Sequence, residues 1–248
     1  MTENNGHHNG IALLRNVMSM VTLVQRVVDR RPNLPGMACY FGPSGYGKSS
    51  AATYAANVFD AYQVQIQSTW TKKTLCQAIL RDLGIEPERQ VADMVTQIAA
   101  EIGSTRRPLL IDEADYLVER DLVQIVRDIY EASDGSIILI GEEQLPRKLM
   151  RWERVHGRML DWIPAEPAVF EDVLHLVPSC VPQVEIETAV LEQLLADSHH
   201  SLRRVCVNLD MLREYAVTMG LEQITWKQWQ ASGLHFFSGQ PPKPRGLK

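Results

Sequence analysis

The sequence predicts an α/β fold in which a parallel sheet lies between helices, followed by a small all-helical domain. Short apolar runs alternate with segments of helical periodicity between residues 37 and 140. Strands that are apolar throughout are typical of a parallel sheet covered on both faces. From residue 166 onward only helical patterns remain, at 167–176, 187–197, 202–219 and 226–231.

The elements follow one another in a regular order. A helix at 11–31 has apolar residues at steps of three and four, and prolines follow it. Strands are then predicted at 37–41, 62–67, 109–112 and 136–140, and helices at 49–57, 71–83, 90–102 and 121–131. We therefore divide the chain into a disordered polar tail at 1–10, an α/β core with its N-terminal helix at 11–165, a helical lid at 166–237, and a disordered, basic, proline-rich tail at 238–248.

Composition and charge limit the classes of protein to which the chain can belong. The chain of 248 residues has a net charge of −5, which argues against coating nucleic acid through overall charge but leaves room for a local basic surface. It contains no apolar run of the roughly 18 residues that a membrane span needs, and its N-terminus lacks the features of a signal peptide. The four scattered cysteines include no C-x-x-C pair, which predicts a reduced, cytoplasmic protein.

The segment 42–49 reads GPSGYGKS, a complete G-x-x-x-x-G-K-[ST] motif between an apolar strand and a helix of small residues. Its glycines let successive backbone N–H groups face inward and, with the positive end of the helix, bind phosphate. Lys48 is expected to reach the β- and γ-phosphates, and Ser49 to offer its hydroxyl to Mg²⁺. The predicted nucleotide contacts in this segment are Gly42, Pro43, Ser44, Gly45, Tyr46, Gly47, Lys48, Ser49 and Ser50.

A second motif, LLIDE at 109–113, delivers two adjacent carboxylates to the carboxyl end of a strand, which is the edge where ligands bind in open α/β sheets. We expect Asp112 to join Ser49 in holding Mg²⁺. Glu113 is expected to orient and deprotonate the water that attacks the γ-phosphate. Asp115 is interpreted as a solvated residue at a helix start.

Three further places carry candidate residues. Glu142 follows the strand at 136–140, where a polar group could touch the γ-phosphate or the attacking water. In the basic segment 145–158, either Arg154 or Arg158 reaches into the nucleotide site of a neighbouring subunit, or the segment is a solvated basic helix. Arg203 and Arg204 stand at a helix start, where the helix dipole disfavours them. Either one of them contacts bound nucleotide, or both are surface residues.

These features, in this order, resemble the AAA+ ATPases over residues 34–229. More narrowly, the chain is similar to the transposition ATPases of the Mu-phage B protein, TnsC and TniB type. The similarity rests on the N-terminal helix leading into FGPSGYGKS, and on the segments QIQSTWTKKTLCQAILRDLGI and ILIGEEQLPRKLMRWERVHGRM.

The resemblance implies ATP-dependent assembly into rings or helical filaments on duplex DNA, and delivery of that DNA to a transposase that stimulates hydrolysis. This is an activity of phage or bacterial DNA recombination. By position, Lys48 and Ser49 resemble Walker A, Asp112 and Glu113 resemble Walker B, Arg154 or Arg158 resembles the arginine finger, and Arg203 resembles sensor 2.

The sequence departs from the family at two points. Glu142 stands at the sensor 1 position, where the family usually has Asn, Thr or Ser, and an acid there would repel the γ-phosphate. Either Glu142 points away or hydrolysis is slow. The N-terminal helix-turn-helix domain of some relatives is absent, so we expect the ATPase domain itself to bind DNA.

The candidate DNA contacts lie where basic residues occur without acids, between residues 68 and 81. One set of contacts repeated in each subunit of a polymer would give salt-sensitive binding with little sequence preference. The residues concerned are Thr71, Lys72, Lys73 and Arg81.

Three other functions stay open. The chain could be a helicase loader or replication-initiator-type ATPase that acts on a protein client. A small-molecule kinase would not need Glu113 or the arginine cluster. An ATP-binding switch with little turnover is kept open by Glu142.

Overall fold

The computed structural model describes residues 14–240. The described chain divides into two compact units, 16–166 and 167–240, and the second also takes the residues before Asn16. The predicted polar tail at 1–10 lies outside the described residues, as do 241–248 of the predicted C-terminal tail. No helix within 14–240 has the length and apolar character needed to cross a bilayer.

The first unit is built on a five-stranded, wholly parallel sheet with strand order β2-β3-β4-β1-β5. Met37 in β1 lies opposite Ile137 in β4 and Met159 in β5, and Tyr62 in β2 lies opposite Leu109 in β3. The carboxyl ends of all strands therefore meet at one edge. The strands are β1 (Met37–Phe41), β2 (Tyr62–Gln65), β3 (Leu109–Asp112), β4 (Ile137–Gly141) and β5 (Met159–Pro164).

Strand β5 was not predicted from the sequence. It lies at the edge of the sheet, most of its residues are half-buried, and it ends in Pro164. An edge strand needs neither a continuous apolar run nor every backbone donor, so a proline and the charged Asp161 are tolerated there and its sequence signal is weak.

Alternate strand residues face two helical layers. Cys39, Ile111 and Leu139 belong to one buried cluster with apolar residues of α3, α4 and α6. On the other face, the three buried alanines of α2 approach the sheet closely. The helices of this unit are α1 (Arg15–Val28), α2 (Lys48–Phe59), α3 (Lys72–Asp82), α4 (Val91–Thr105), α5 (Asp115–Glu119), α6 (Val123–Ser133), α7 (Leu145–Leu149) and α8 (Glu153–His156). The predicted α/β fold, with a parallel sheet between helices, is confirmed.

Most helix and strand boundaries predicted from the sequence differ by a few residues from those in the structure. The N-terminal helix, predicted at 11–31, ends at Val28 because Pro32 and Pro35 follow; residues 11–13 lie outside the described part. The basic segment 145–158 is two short helices, α7 and α8, separated around Trp152.

The second unit is mainly helical, as predicted. It contains α9 (Phe170–Cys180), α10 (Thr188–Asp197), α11 (Leu202–Met219) and α12 (Trp226–Ser232). Two strands of two residues each, β6 (Glu185–Ile186) and β7 (Gln223–Ile224), form a parallel pair that the sequence did not predict, because segments this short carry no period-2 pattern.

Candidate functional site

A glycine-rich loop connects β1 to α2. Gly45 and Gly47 have φ values of 86° and 79°, in the left-handed region that glycine adopts without strain. The Ala51 N–H donates to the Gly47 carbonyl oxygen at 2.9 Å, and no side chain caps the helix. The N–H groups of residues 48–50 therefore lack partners within the helix. This open helix N-terminus can bind an anion.

The side chain of Lys48 folds over this loop. Its Nζ donates to the carbonyl oxygens of Gly42 at 2.7 Å and Pro43 at 2.9 Å. Burial lowers the pKa of Lys48, while nearby carboxylates, led by Asp112 and Glu113, act to raise it. An anionic group entering the loop would compete with the two carbonyls for the ammonium.

Two carboxylates stand at the end of β3. Asp112 is 3% exposed, and its Oδ1 accepts the Glu113 N–H at 2.8 Å. Glu113 adopts a left-handed backbone conformation with φ 56°. Burial first, and then the charge of Asp112, raises the pKa of Glu113, with Lys48 opposing. A carboxylate with a raised pKa has greater affinity for a proton, as a general base requires.

Glu113 opens onto a polar cleft of about 630 Å³ at this edge of the sheet. Glu142, which follows β4, is exposed and lines the same cleft. The charge of Glu142 raises the pKa of both Lys48 and Glu113, so it is felt within the site. The other lining residues are Gln65, Ile66, Gln67, Ser68, Thr69 and Tyr116.

The interpretation of Asp115 as a solvated residue is wrong. Asp115 is 5% exposed, its Oδ2 accepts the Glu142 N–H at 2.6 Å, and its Oδ1 accepts from Lys148 Nζ at 2.7 Å. A Cβ on Gly141 would lie 2.4 Å from Asp115 Oδ2, so any other residue at this position would displace the Asp115 carboxylate. Asp115 is buried because α5 packs beneath the end of β4, and the sequence next to Asp115 gives no sign of this.

Asn16 in the first turn of α1 is a second residue that the sequence did not reveal. It is 4% exposed, and its Nδ2 donates to the carbonyl oxygens of Tyr46, in the phosphate loop, and Glu166. A lone asparagine in an amphipathic helix carries no sequence signal for such contacts.

The basic segment presents two different arginines. Arg158 pairs through Nε with Glu131, which raises the pKa of Arg158. The exposed side chain of Arg154 makes no hydrogen bond or ion pair with any residue in 14–240. Both line a cleft of about 580 Å³ together with Arg127, Asp128, Glu131 and Ala132.

The remaining candidates lie on the surface. Arg203 is exposed in the first turn of α11, in the second unit. Thr71 caps α3 by accepting the Thr74 N–H at 3.2 Å, so its hydroxyl has a structural role. Lys72, Lys73 and Arg81 are exposed. Residues 73 and 81 lie about 80° apart around the helix and about 12 Å apart along it, whereas 72 and 81 lie on opposite sides.

Comparison with known proteins finds a family model that matches part of the first unit. Residues 31–149 match the family model described as an AAA domain. No curated protein matches the sequence.

Three solved structures illustrate the shared fold. Aeropyrum pernix ORC2 in its ADP form aligns with a TM-score of 0.69 and 16% identity, over 91% of this chain and 70% of that one. Drosophila ORC bound to DNA aligns with a TM-score of 0.62 and 14% identity, over 89% of this chain and 60% of that one. The Thermotoga maritima RuvB Holliday junction branch migration motor aligns with a TM-score of 0.59 and 18% identity, over 88% of this chain and 67% of that one. At these identities the likeness shows the fold, that of the AAA+ P-loop ATPases; the transposition branch stays a prediction.

Proposed function

We propose that the chain, whose residues 31–149 match an AAA domain, is an ATPase that binds duplex DNA without sequence preference, oligomerises on it when ATP is bound, and delivers it to a transposase. The observation that carries the nucleotide part is the convergence of the phosphate loop, Lys48, and the strand end at Asp112 and Glu113. The DNA part rests on exposed basic residues, and the transposase part rests on the sequence resemblance.

The phosphate loop supplies the nucleotide contacts. The N–H groups of residues 48–50 and the loop backbone would bind the β- and γ-phosphates. Lys48 would exchange the carbonyls of Gly42 and Pro43 for phosphate oxygens. Arg203, from the second unit, is proposed to contact the nucleotide as well.

The donor set also fits Mg²⁺ brought by the nucleotide. The Ser49 hydroxyl and the Asp112 carboxylate are hard oxygen donors, which Mg²⁺ prefers. Within 14–240 there is no group of three His, Cys, Asp or Glu side chains that could hold a metal alone. The ion would therefore be shared with phosphate oxygens and water. Mg²⁺ would neutralise charge that develops on the phosphates during hydrolysis.

Hydrolysis requires a base and a counter-charge. Glu113, with its raised pKa, would orient the water and take its proton. An arginine from a neighbouring subunit would stabilise the transition state. We assign that role to Arg154 over Arg158, because Glu131 already holds the Arg158 guanidinium.

DNA contact is assigned to the exposed side chains of Lys72, Lys73 and Arg81, with Thr71 at the same helix start. Lys72 and Lys73 occupy the first turn of α3, where the helix dipole disfavours cations. A phosphate partner would offset that cost. A DNA-bound ORC shares the fold, which supports DNA as a class of partner. Such an ATPase would act in the bacterial or phage-infected cytoplasm.

A second candidate is a helicase loader or initiator-type ATPase with a protein client. The likeness to ORC2 and DNA-bound ORC favours it. The two candidates differ in what ATP causes on bare duplex DNA: ordered coating in the first, and no coating in the second.

The deciding experiment images the protein with duplex DNA, with and without a non-hydrolysable ATP analogue. Filaments or stacked rings that need both the analogue and Lys48 support the proposal, and Lys48→Ala serves as the control for nucleotide. DNA-free particles or monomers alone would refute target-DNA coating and favour a protein client.

The surface of contact is tested by Lys72→Ala combined with Lys73→Ala. Each lost phosphate contact should reduce the slope of log affinity against log salt by about 0.9, so the double variant should reduce it by nearly 2. Lys227→Ala, an exposed lysine in α12, is the matched control and should leave the slope unchanged. An unchanged slope in the double variant would show that DNA binds elsewhere.

A further inference from the structure

Asn16 has a buried side chain whose hydrogen-bonding capacity is fully used. Its Nδ2 donates to the carbonyl oxygens of Tyr46 at 2.9 Å and Glu166 at 2.8 Å. Its Oδ1 accepts the Glu166 N–H at 2.9 Å and the Tyr40 hydroxyl at 3.1 Å. One amide group thus connects α1, β1, the phosphate loop and the end of the first unit.

The bond to Tyr46 acts on the phosphate loop itself. In a trans peptide the carbonyl and the following N–H point in opposite directions, and no peptide within 14–240 is cis. Because Asn16 is buried in the core and binds the Tyr46 carbonyl, it directs the Gly47 N–H away from the core. That N–H precedes the open helix N-terminus, which starts at Lys48.

The bonds to Glu166 act at the boundary of the first unit, where Glu166 is the last residue. The preceding residue, Ala165, donates its N–H to the Phe41 carbonyl oxygen at 2.7 Å. A Cβ on Gly42 would lie 3.0 Å from Ala165 Cβ. Residues 165 and 166 therefore lie directly against the start of the phosphate loop.

We infer that Asn16 is a positioning residue for nucleotide binding: it orients the Tyr46–Gly47 peptide of the phosphate loop and ties that peptide to Glu166, where the chain leaves the core. A change in the loop on binding phosphate is thereby transmitted to Glu166 through one side chain. The inference rests on the proposed nucleotide site, and it requires neither DNA nor a transposase.

Only an amide of this length satisfies all four bonds. Asn16→Asp keeps an acceptor for the Glu166 N–H but sets a carboxylate against the carbonyls of Tyr46 and Glu166. Asn16→Ala removes every side-chain partner and leaves buried polar groups unpaired, which is unfavourable. Tyr40→Phe is the matched control, since it removes a bond to Asn16 but none to the loop.

The test compares these variants by titration with a fluorescent ATP analogue and with ADP, well below each unfolding temperature. Asn16→Asp should weaken binding at least about fivefold, the effect of losing one hydrogen bond in the binding conformation. Tyr40→Phe should lower thermal stability but leave affinity unchanged. If folded Asn16→Asp binds nucleotide with wild-type affinity and only its thermal stability is lowered, Asn16 has a structural role alone. That result would overturn the inference.

Hydrogen exchange on the wild-type protein gives a result that does not depend on the variants folding. The amides of Gly47 and Glu166 should both change their protection when ADP is added. A change at Gly47 with none at Glu166 would contradict the coupling. Absence of any nucleotide binding by the wild-type chain would instead refute the proposed function itself.

Discussion

The Asp115–Lys148 pair allows a prediction whose size follows from the structure. Asp115→Asn preserves the volume packed against Gly141 but removes the charge. An asparagine can accept from either the Glu142 N–H or Lys148 Nζ with its single oxygen, while its NH₂ group must face the other donor. One of two hydrogen bonds is therefore lost, and the ammonium loses its buried counter-ion.

The cost lies between those of a buried and an exposed pair. Breaking a fully buried pair by removing one partner costs about 3–5 kcal/mol. The side chain of Asp115 is 7% exposed but that of Lys148 is 28% exposed and also binds Glu119, so Lys148 can turn toward water. We therefore expect a loss of about 1.5–3 kcal/mol. For a unit of this size that lowers Tm by about 3–12 °C.

The assay is thermal unfolding at pH 7, with Glu119→Gln as the matched control. Glu119 is the half-exposed second partner of Lys148, and its loss should change Tm by no more than about 2 °C. Equal effects of the two variants would refute the assignment of Asp115 as the buried anchor.

The pH dependence supplies a further check. The hydrogen bond that Lys148 donates to Asp115 raises the pKa of Lys148 above its ordinary 10.5; burial opposes this rise, and the bond to Glu119 adds to it. The stabilisation is therefore fully present below pH 10.5 and is lost as the pH rises through the pKa in the folded protein. The difference in Tm between wild type and Asp115→Asn should be constant from pH 7 to about pH 10 and shrink above it.

Three further substitutions test the catalytic assignments. Glu113→Gln should lower hydrolysis about 10²–10⁴-fold while ATP-dependent DNA binding persists, trapping the ATP-bound polymer; failure to bind DNA would contradict its role as the base. Arg154→Ala should lower DNA-stimulated hydrolysis about 10³–10⁵-fold without weakening nucleotide binding by isolated subunits, whereas a larger loss in Arg158→Ala would reverse the assignment. Glu142→Gln should tighten ATP binding and move the rise of the pH–rate profile to lower pH; unchanged affinity and profile would show that its charge does not reach the site.

Sequence reasoning predicted the parts of the fold whose signal is local. The apolar strands β3 and β4 are continuous runs, the phosphate loop has a fixed spacing, and the helical second unit shows clear periodicity. Strand β5 escaped prediction because an edge strand with Pro164 lacks that regularity. The two-residue strands of the second unit were not predicted because they are too short to show an alternating pattern of apolar and polar residues.

Residues whose importance depends on tertiary burial could not be predicted in this way. Asp115 looks like any acid near a helix start until α5 places it beneath Gly141. Asn16 looks like a polar residue in a helix until its amide meets Tyr46 and Glu166, the latter 150 residues away in sequence. In both cases the partners include backbone groups, which every residue possesses, so sequence alone does not reveal those contacts.

The departure at Glu142 gains a physical meaning from the site geometry. Its carboxylate raises the pKa of Glu113, which strengthens the proposed base, but the same charge repels a γ-phosphate. Burial lowers the pKa of Lys48, and the charge of Glu142 opposes that effect. An acid at this position thus weakens the binding of the γ-phosphate but makes Glu113 a stronger base. Since a cation beside the γ-phosphate offsets the repulsion, Mg²⁺ and an arginine from a neighbouring subunit would matter more here than in a site with a neutral residue. In the proposed assembly, hydrolysis by single subunits would then be slow and hydrolysis between assembled subunits faster.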